Sequence, residues 1–321
     1  MMRRIFLALI ICGVSWFTSN LNTVQAQSSE VQPKLKALIV DGQNNHNWRR
    51  TTPALKYIME ESGRFTVDVA TAPTKRDKEA DAETYKKNLA AFKPDFAQYA
   101  VVVGNYNSNE TRDDWSPETK KAFEEYIENG GGFVVYHAND NSFPDWEAYN
   151  KMIGLGGWDR GHLPETAGKY LYWEEGKAVT SNEKGPRGNH GPAWAFPIDV
   201  RDTEHPITAG LPATFRHCQD ELYDHMWGPA ENVTILATAY ADKERGGSGR
   251  HEPMLMVISY GKGRIFHTAL GHDAQQLGSV SFIVTFLRGA EWAATGKVTI
   301  PIPDDFPGKD EPTFRSMNPA R

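Results

Sequence analysis

The residue types able to do chemistry fall in five short stretches. Asp41-Gly42-Gln43-Asn44-Asn45-His46-Asn47-Trp48, Asn105-Tyr106-Asn107, His137-Ala138-Asn139-Asp140 and Gly271-His272-Asp273 each follow an apolar run of strand length, and Asp220-Glu221 adds two adjacent carboxylates. In an open α/β sheet, ligands bind outside the carboxyl ends of the strands, so four polar segments issuing from strand ends converge on one edge and make a cleft. Imidazoles and carboxylates gathered there can move protons near neutral pH. His137, Glu221, His46 and His272 are the candidate catalytic groups. Asp41, Gln43, Trp48, Asn105, Asn139, Asp220 and Tyr223 are the candidate substrate contacts, with Trp48 and Tyr223 offering flat aromatic faces. The competing structural reading of Asp220 and Glu221 is a helix cap or a salt-bridged pair.

Spacing narrows the chemistry. No His-x-x-x-His or Cys-x-x-Cys occurs, so a local metal motif is absent, and the metal reading left open is a divalent site assembled from the distant residues His46, His137, Glu221 and His272. Gly154-x-Gly156-Gly157 follows a helix and the triple glycine at 130–132 precedes its strand, so neither has the strand-glycine-helix order that cradles a pyrophosphate. A Gly-x-Ser-x-Gly nucleophile elbow is missing, and the equivalent position after the strand Phe133-Val134-Val135-Tyr136 is His137. His162, His190, His225 and His251 lie in loops, where solvated or structural roles are the default.

The elements that must position these residues alternate. Strands are predicted over 35–40, 65–70, 99–103 and 133–136. Between them lie a helix capped by Thr52 with Pro53 in its first position, a helix near 85–92, and a helix capped by Ser116 with Pro117 following. This order argues for βαβ units and a parallel sheet. Residues 154–194 form a long Gly-, Trp- and His-rich insertion with little periodicity, of the kind that serves as a lid or binding loop. Further strands follow at 196–200 and 233–240, then a hairpin turning at Gly261-Lys262-Gly263 and a last helix at 280–293. The expected organisation is a signal peptide at 1–26, a linker at 27–34, one domain at 35–295 carrying the insertion, and a Pro-rich tail at 296–321 that is draped or disordered.

Composition sets the address. Arg3 and Arg4, the apolar run Ile5 to Phe17 and Val24-Gln25-Ala26 read as a cleaved secretory signal, through the general or the twin-arginine route, which makes the protein periplasmic or secreted and leaves no membrane attachment. Cleavage removes Cys12, so Cys218 has no partner for an internal disulfide and the core must supply the stability. The formal charge of −6, made two units more acidic by loss of Arg3 and Arg4, gives no basic stripe for nucleic acid and points to a neutral or weakly charged small ligand.

The stretch 41–48, Gly131-Gly132-Phe133-Val134-Val135-Tyr136-His137-Ala138, His205-Pro206-Ile207 with Gly210-Leu211-Pro212, Asp220-Glu221-Leu222-Tyr223, and Tyr260-Gly261-Lys262-Gly263-Arg264-Ile265-Phe266 with Gly271-His272 together resemble the ThuA-like (trehalose utilisation) family over about 35–293. The resemblance implies an α/β, flavodoxin-like three-layer sandwich with a mostly parallel sheet, of the class I glutamine amidotransferase-like type. It implies that the elbow holding cysteine in amidotransferases holds His137 here, so glutaminase chemistry is not expected. It also implies a role in disaccharide catabolism, on 3-keto-glycosides made by a partner sugar dehydrogenase. A 3-keto group acidifies the C2 proton, so one base, Glu221 or His137, and one oxyanion stabiliser suffice to eliminate the aglycone, with His46 and His272 polarising the ketone or protonating the leaving oxygen. The alternative is a carbohydrate-binding or accessory protein without turnover. His267, where the family pattern has an aromatic or aliphatic residue, and the insertion at 154–194 set this chain apart.

Overall fold

In the parallel half of the fold, apolar runs become strands buried on both faces. The chain runs β1 (Leu35–Asp41), α1 (Trp48–Glu61), β2 (Phe65–Thr71), α2 (Ala82–Ala91), β3 (Val101–Gly104), α3 (Pro117–Glu128) and β4 (Gly132–Tyr136). Val-Val-Val-Gly in β3 and Gly-Phe-Val-Val-Tyr in β4 are buried throughout, as strands covered by helices on both sides require. The rest is α4 (Glu147–Ile153), β5 (Lys169–Glu174), β6 (Lys177–Ser181), β7 (Asn189–His190), β8 (Trp194–Val200), β9 (Thr214–Asp220), β10 (Tyr223–Asp224), β11 (Trp227–Gly228), β12 (Val233–Tyr240), β13 (His251–Tyr260), β14 (Gly263–Thr268), α5 (Ala274–Leu277) and α6 (Val280–Thr295). The computed structural model describes residues 33–74, 81–108, 114–158, 168–183 and 185–318. The expected signal peptide, all but the last two residues of the expected linker, and His162 lie outside them. No helix among the described residues is long and apolar enough to cross a membrane.

The sheet is mixed rather than mostly parallel. Its order is β2-β1-β3-β4-β14-β13-β12-β8-β9, with β5, β6 and β11 joined beside β13. From β2 to β14 all neighbours are parallel, and from β14 to β9 all are antiparallel. The reason is connectivity: parallel neighbours need a crossover, usually helical, whereas among the described residues no long helix lies between α4 and α6 and the strands there are joined by turns and loops. The insertion departs from expectation likewise. It holds the hairpin β5–β6, in register from Tyr170 opposite Ser181 to Glu174 opposite Lys177, and the two-residue strand β7.

Helices cover both faces of the parallel half. Phe133 in β4 packs against Phe123 of α3 and Tyr149 of α4, while Tyr136, three residues on and pointing the other way, meets Phe282 of α6. The first helix starts at Trp48 after Asn47, so Pro53 lies inside it and not at its first position. Ser116 caps α3 as read, accepting from the Thr119 amide.

The tail is docked. In α6, Glu291 accepts from Arg64 Nε (2.7 Å), Thr299 N and Oγ1, and Ile300 N. Arg288 donates to the carbonyls of Pro206, Ile207, Ala209 and Ile300 at 2.7–2.9 Å. Further on, Gly308 O accepts from Arg216 N and Phe306 packs on Phe215. Arg288→Leu therefore leaves four carbonyls without their charged donor. Denaturant unfolding is expected to show a loss of about 2–4 kcal/mol, with limited proteolysis cutting first in the released tail.

Candidate functional site

Three strands of the parallel half each release one histidine at the same edge. His46 follows β1, His137 follows β4 and His272 follows β14, and Glu221 follows β9 from the antiparallel half. One nitrogen of each imidazole and a Glu221 oxygen all lie within 4.8 Å of one another. Glu221 Oε2 is 3.6 Å from His137 Nε2 and 4.0 Å from His46 Nε2, and Oε1 is 2.6 Å from His272 Nδ1. The rings of His46 and His137, and of His46 and His272, meet edge to face at 4.8 Å. The structure thus brings together the four candidate catalytic residues.

His137 sits at the elbow with φ of +44°, a left-handed conformation uncommon for a side-chain-bearing residue and held where the surroundings fix it. Its Nδ1 is 2.8 Å from Ala269 O, and because a carbonyl only accepts, Nδ1 carries the proton and Nε2 presents its lone pair. The Tyr223 hydroxyl donates to that Nε2 at 2.8 Å. His46 is arranged alike: Nδ1 donates to Asn45 Oδ1 (3.1 Å), and Asn107 Nδ2 donates to the same oxygen (2.7 Å). Fixing the outer nitrogen by a carbonyl aims the inner one, as around metal-ligating histidines.

Charge follows from this packing. Burial, then the crowding of the His137 and His272 imidazoles around it, pushes His46 down to about 3, leaving it neutral with a free lone pair. His272 is raised by its contact with Glu221. Burial would raise the Glu221 carboxyl, but the His137, His272 and His190 imidazoles around it outweigh that and hold the group far below the carboxylate range. His272 Nδ1 is buried and makes no well-aligned hydrogen bond, although Glu221 Oε1 is close.

The expected substrate contacts divide. Asp41, Gln43, Asn105 and Asn139 are nearly fully buried and act within the protein. Asn139 donates to Tyr106 O, and its amide fills the space a Cβ would need at Gly104. Asn105 donates to Thr51 and Thr52 and accepts from Asn44, whose Oδ1 in turn holds the His46 amide. Gln43 accepts from Thr74, and Asp41, its carboxyl raised by burial, lies beside Thr52 and Thr71. Trp48 is half-buried under the Arg49 guanidinium, 4.3 Å from its ring. Tyr223 is in the cluster.

Asp220 is a positioning group and not a substrate contact. Its buried carboxylate accepts from His217 Nε2 (2.8 Å) and from the amides of Gly271 (2.7 Å), His272 (3.1 Å) and Glu221 (2.9 Å). Burial alone would lower His217, but Cys218 and Asp220 outweigh it and raise the imidazole to about 9, so it is a cation that also donates to Ser281 Oγ. Gly271 (φ +99°) threads between the Tyr136 and Phe282 rings, where a Cβ would collide with both.

Two features escaped the sequence reading. His190 is exposed but lies in a strand and not a loop: β7 pairs with β10, His190 opposite Tyr223, and its Nε2 comes 3.7 Å from Glu221 Oε1. No local spacing marks it, since the contact arises only from that strand pairing. His267 is fully buried, its Nδ1 donating to Ile153 O and its Nε2 3.5 Å from Asp140, whose carboxyl burial raises.

Asp220→Asn strands a buried imidazolium and is expected to lower the unfolding free energy by about 3–5 kcal/mol. Adding His217→Gln should return part of the loss in the same denaturant titration. Near Asp224 and His225, burial raises Glu252 to about 7, its carboxyl accepting from Ser248 Oγ at 2.6 Å. The folded state therefore keeps a proton that the unfolded chain releases near 4.5. Stability falls as pH rises between those values, by up to roughly 3 kcal/mol. Glu252→Gln should flatten that slope and unfold later than wild type at pH 8.

Comparison with known proteins places this geometry. The model of the ThuA (trehalose utilisation) family matches residues 36–293. A ThuA-like protein from Parabacteroides merdae is 45% identical with a TM-score of 0.80, over 88% of this chain and 98% of that one. A ThuA-like protein from Bacteroides uniformis, 20% identical with a TM-score of 0.52 over 83% of this chain and 94% of the other, shares the fold. Among curated proteins none matches. With a match across nearly the whole described body and its four site residues inside the matched range, the chain belongs to the ThuA family.

Proposed function

We propose that this chain is an exported enzyme of carbohydrate utilisation that cleaves the glycosidic bond of 3-keto-glycosides, using a divalent metal ion held by His46, His137, Glu221 and His272. The observation that carries the reading is the convergence of three imidazole nitrogens and a carboxylate oxygen within 4.8 Å. Four donors this close would suit a zinc-sized ion, whose nitrogen and oxygen ligands lie about 2.1 Å away, once the side chains close in. The donor chemistry fits as well. His46 is neutral, the outer nitrogens of His46 and His137 are tied to carbonyl oxygens, and His272 Nδ1 lacks an aligned partner. Tyr223 must release the His137 lone pair. A carboxylate held as low as Glu221 is a weak base, which favours it as a ligand.

Bound there, the ion supplies Lewis-acid polarisation of a ketone oxygen. A 3-keto sugar needs that help, because removing its C2 proton places negative charge on the C3 oxygen, and the aglycone at C1 then leaves by elimination. The elbow carries His137 in place of a nucleophile, which suits a reaction without a covalent enzyme intermediate. The substrate implies a partner dehydrogenase that oxidises a glycoside at C3. The pattern Arg3-Arg4, Ile5 to Phe17 and Val24-Gln25-Ala26 supports export with cleavage before Gln27.

The test incubates the purified protein with a 3-keto-disaccharide and with its unoxidised parent, before and after chelation. Cleavage of the oxidised sugar alone, abolished by chelator and restored by zinc or manganese, is the expected result. His137→Ala should lower turnover at least 100-fold while keeping the melting temperature within a few degrees. Chelator-resistant cleavage would remove the ion from the mechanism, and cleavage of the parent alone would remove the keto-sugar.

A further inference from the structure

If the four inner residues hold an ion, none of them is left to move the substrate's proton. We propose that His190, delivered by the insertion, is that group: it takes the C2 proton of the 3-keto-glycoside and gives it to the departing glycosidic oxygen. This rests on the keto-glycoside reading above and adds to it a residue from a part of the chain that the cluster does not use.

Four observations converge on His190. Its Nδ1 lies 3.0 Å from the carbonyl of Gly191, so Nδ1 carries the proton of the neutral ring and Nε2 is the nitrogen free to exchange one. That Nε2 points inward, 3.7 Å from Glu221 Oε1. The ring stacks on Tyr223, with centroids 6.0 Å apart and planes at 28°, and the pairing of β7 with β10 fixes the register. Depth then orders the histidines: the side chains of His137, His46, His272 and His190 are 2%, 14%, 37% and 47% exposed. His190 is the outermost, at the mouth. A sugar whose ketone reaches the inner residues leaves its aglycone toward solvent, which places the C1–C2 bond beside His190.

The step balances within the substrate and one imidazole. Neutral Nε2 takes the proton from C2, and the C2–H electron pair becomes an enolate on C3. The enolate then forms the C1=C2 double bond as the C1–O bond breaks, its electrons going to the leaving oxygen. The His190 proton moves to that oxygen, giving an alcohol and an unsaturated 3-ketosugar and returning the neutral ring. Glu221 Oε1 faces the imidazolium while it exists.

The experiment compares wild type with His190→Ala and His190→Gln. In D2O, NMR follows deuterium entering C2 of a 3-keto-glycoside together with alcohol release, and zinc affinity is measured by calorimetric titration. Both variants are expected to lose C2 exchange and turnover about 100-fold or more, with zinc affinity within twofold of wild type. Added imidazole should restore activity in the Ala variant, which has room for it, and not in the Gln variant. Exchange and turnover within threefold of wild type in the Ala variant would overturn the inference alone, as would a fall in zinc affinity matching the fall in rate. A wild-type protein that neither exchanges nor cleaves the oxidised sugar would overturn the keto-glycoside reading and this inference together.

Discussion

The site rests on one buried carboxylate. Asp220 ends β9 and accepts from three backbone amides, those of Glu221, Gly271 and His272, and from the His217 imidazolium. Those amides belong to two segments fifty residues apart in sequence, so a single side chain ties the loop carrying His272 to the residue whose carboxylate faces it. A buried charge is costly unless it is paired and hydrogen-bonded, and here both conditions hold, which makes the arrangement hard to deform in small steps. Its rigidity passes to Glu221, whose peptide is pinned at the nitrogen and whose side chain is then met by four imidazoles.

A second tier works the same way from the parallel half. Asn105 anchors Asn44, Asn44 holds the His46 amide, and Asn107 with Asn45 orients the His46 ring. Asn139 pins the elbow turn to the end of β3 through Tyr106 O. These asparagines exchange hydrogen bonds with one another and with backbone where a misplaced polar atom would go unsatisfied. They set the imidazoles through geometry.

What the sequence made legible follows the same division. Strand ends, helix caps and the hairpin at Gly261 are local signals, and Val101–Gly104, Ser116 and the β13–β14 turn appear where composition places them. Convergence of His46, His137 and His272 was readable because parallel strands share an edge. Two things were not. Whether a polar residue at a strand end faces the cleft or turns back to support a loop depends on partners remote in sequence, which is why Asn105, Asn139 and Asp220 read as substrate contacts. The insertion lacks periodicity, so neither the β5–β6 hairpin nor the pairing that carries His190 to Tyr223 has a local signature.

The mixed sheet gives this division a functional sense. The parallel half supplies three histidines from the ends of β1, β4 and β14, strands locked in one buried register. The antiparallel half supplies Glu221, Tyr223 and His190 from short turns and a two-residue strand, where little backbone ladder constrains the path. A sequence change in that second half can reshape the surroundings of Glu221 and His190 while leaving the other imidazoles where the parallel strands put them. In the proposed reaction, ketone binding and aglycone choice would then be separable properties. The first resides in a rigid edge shared by the strands, and the second in loops held to it chiefly through Asp220 and the pairing of His190 with Tyr223.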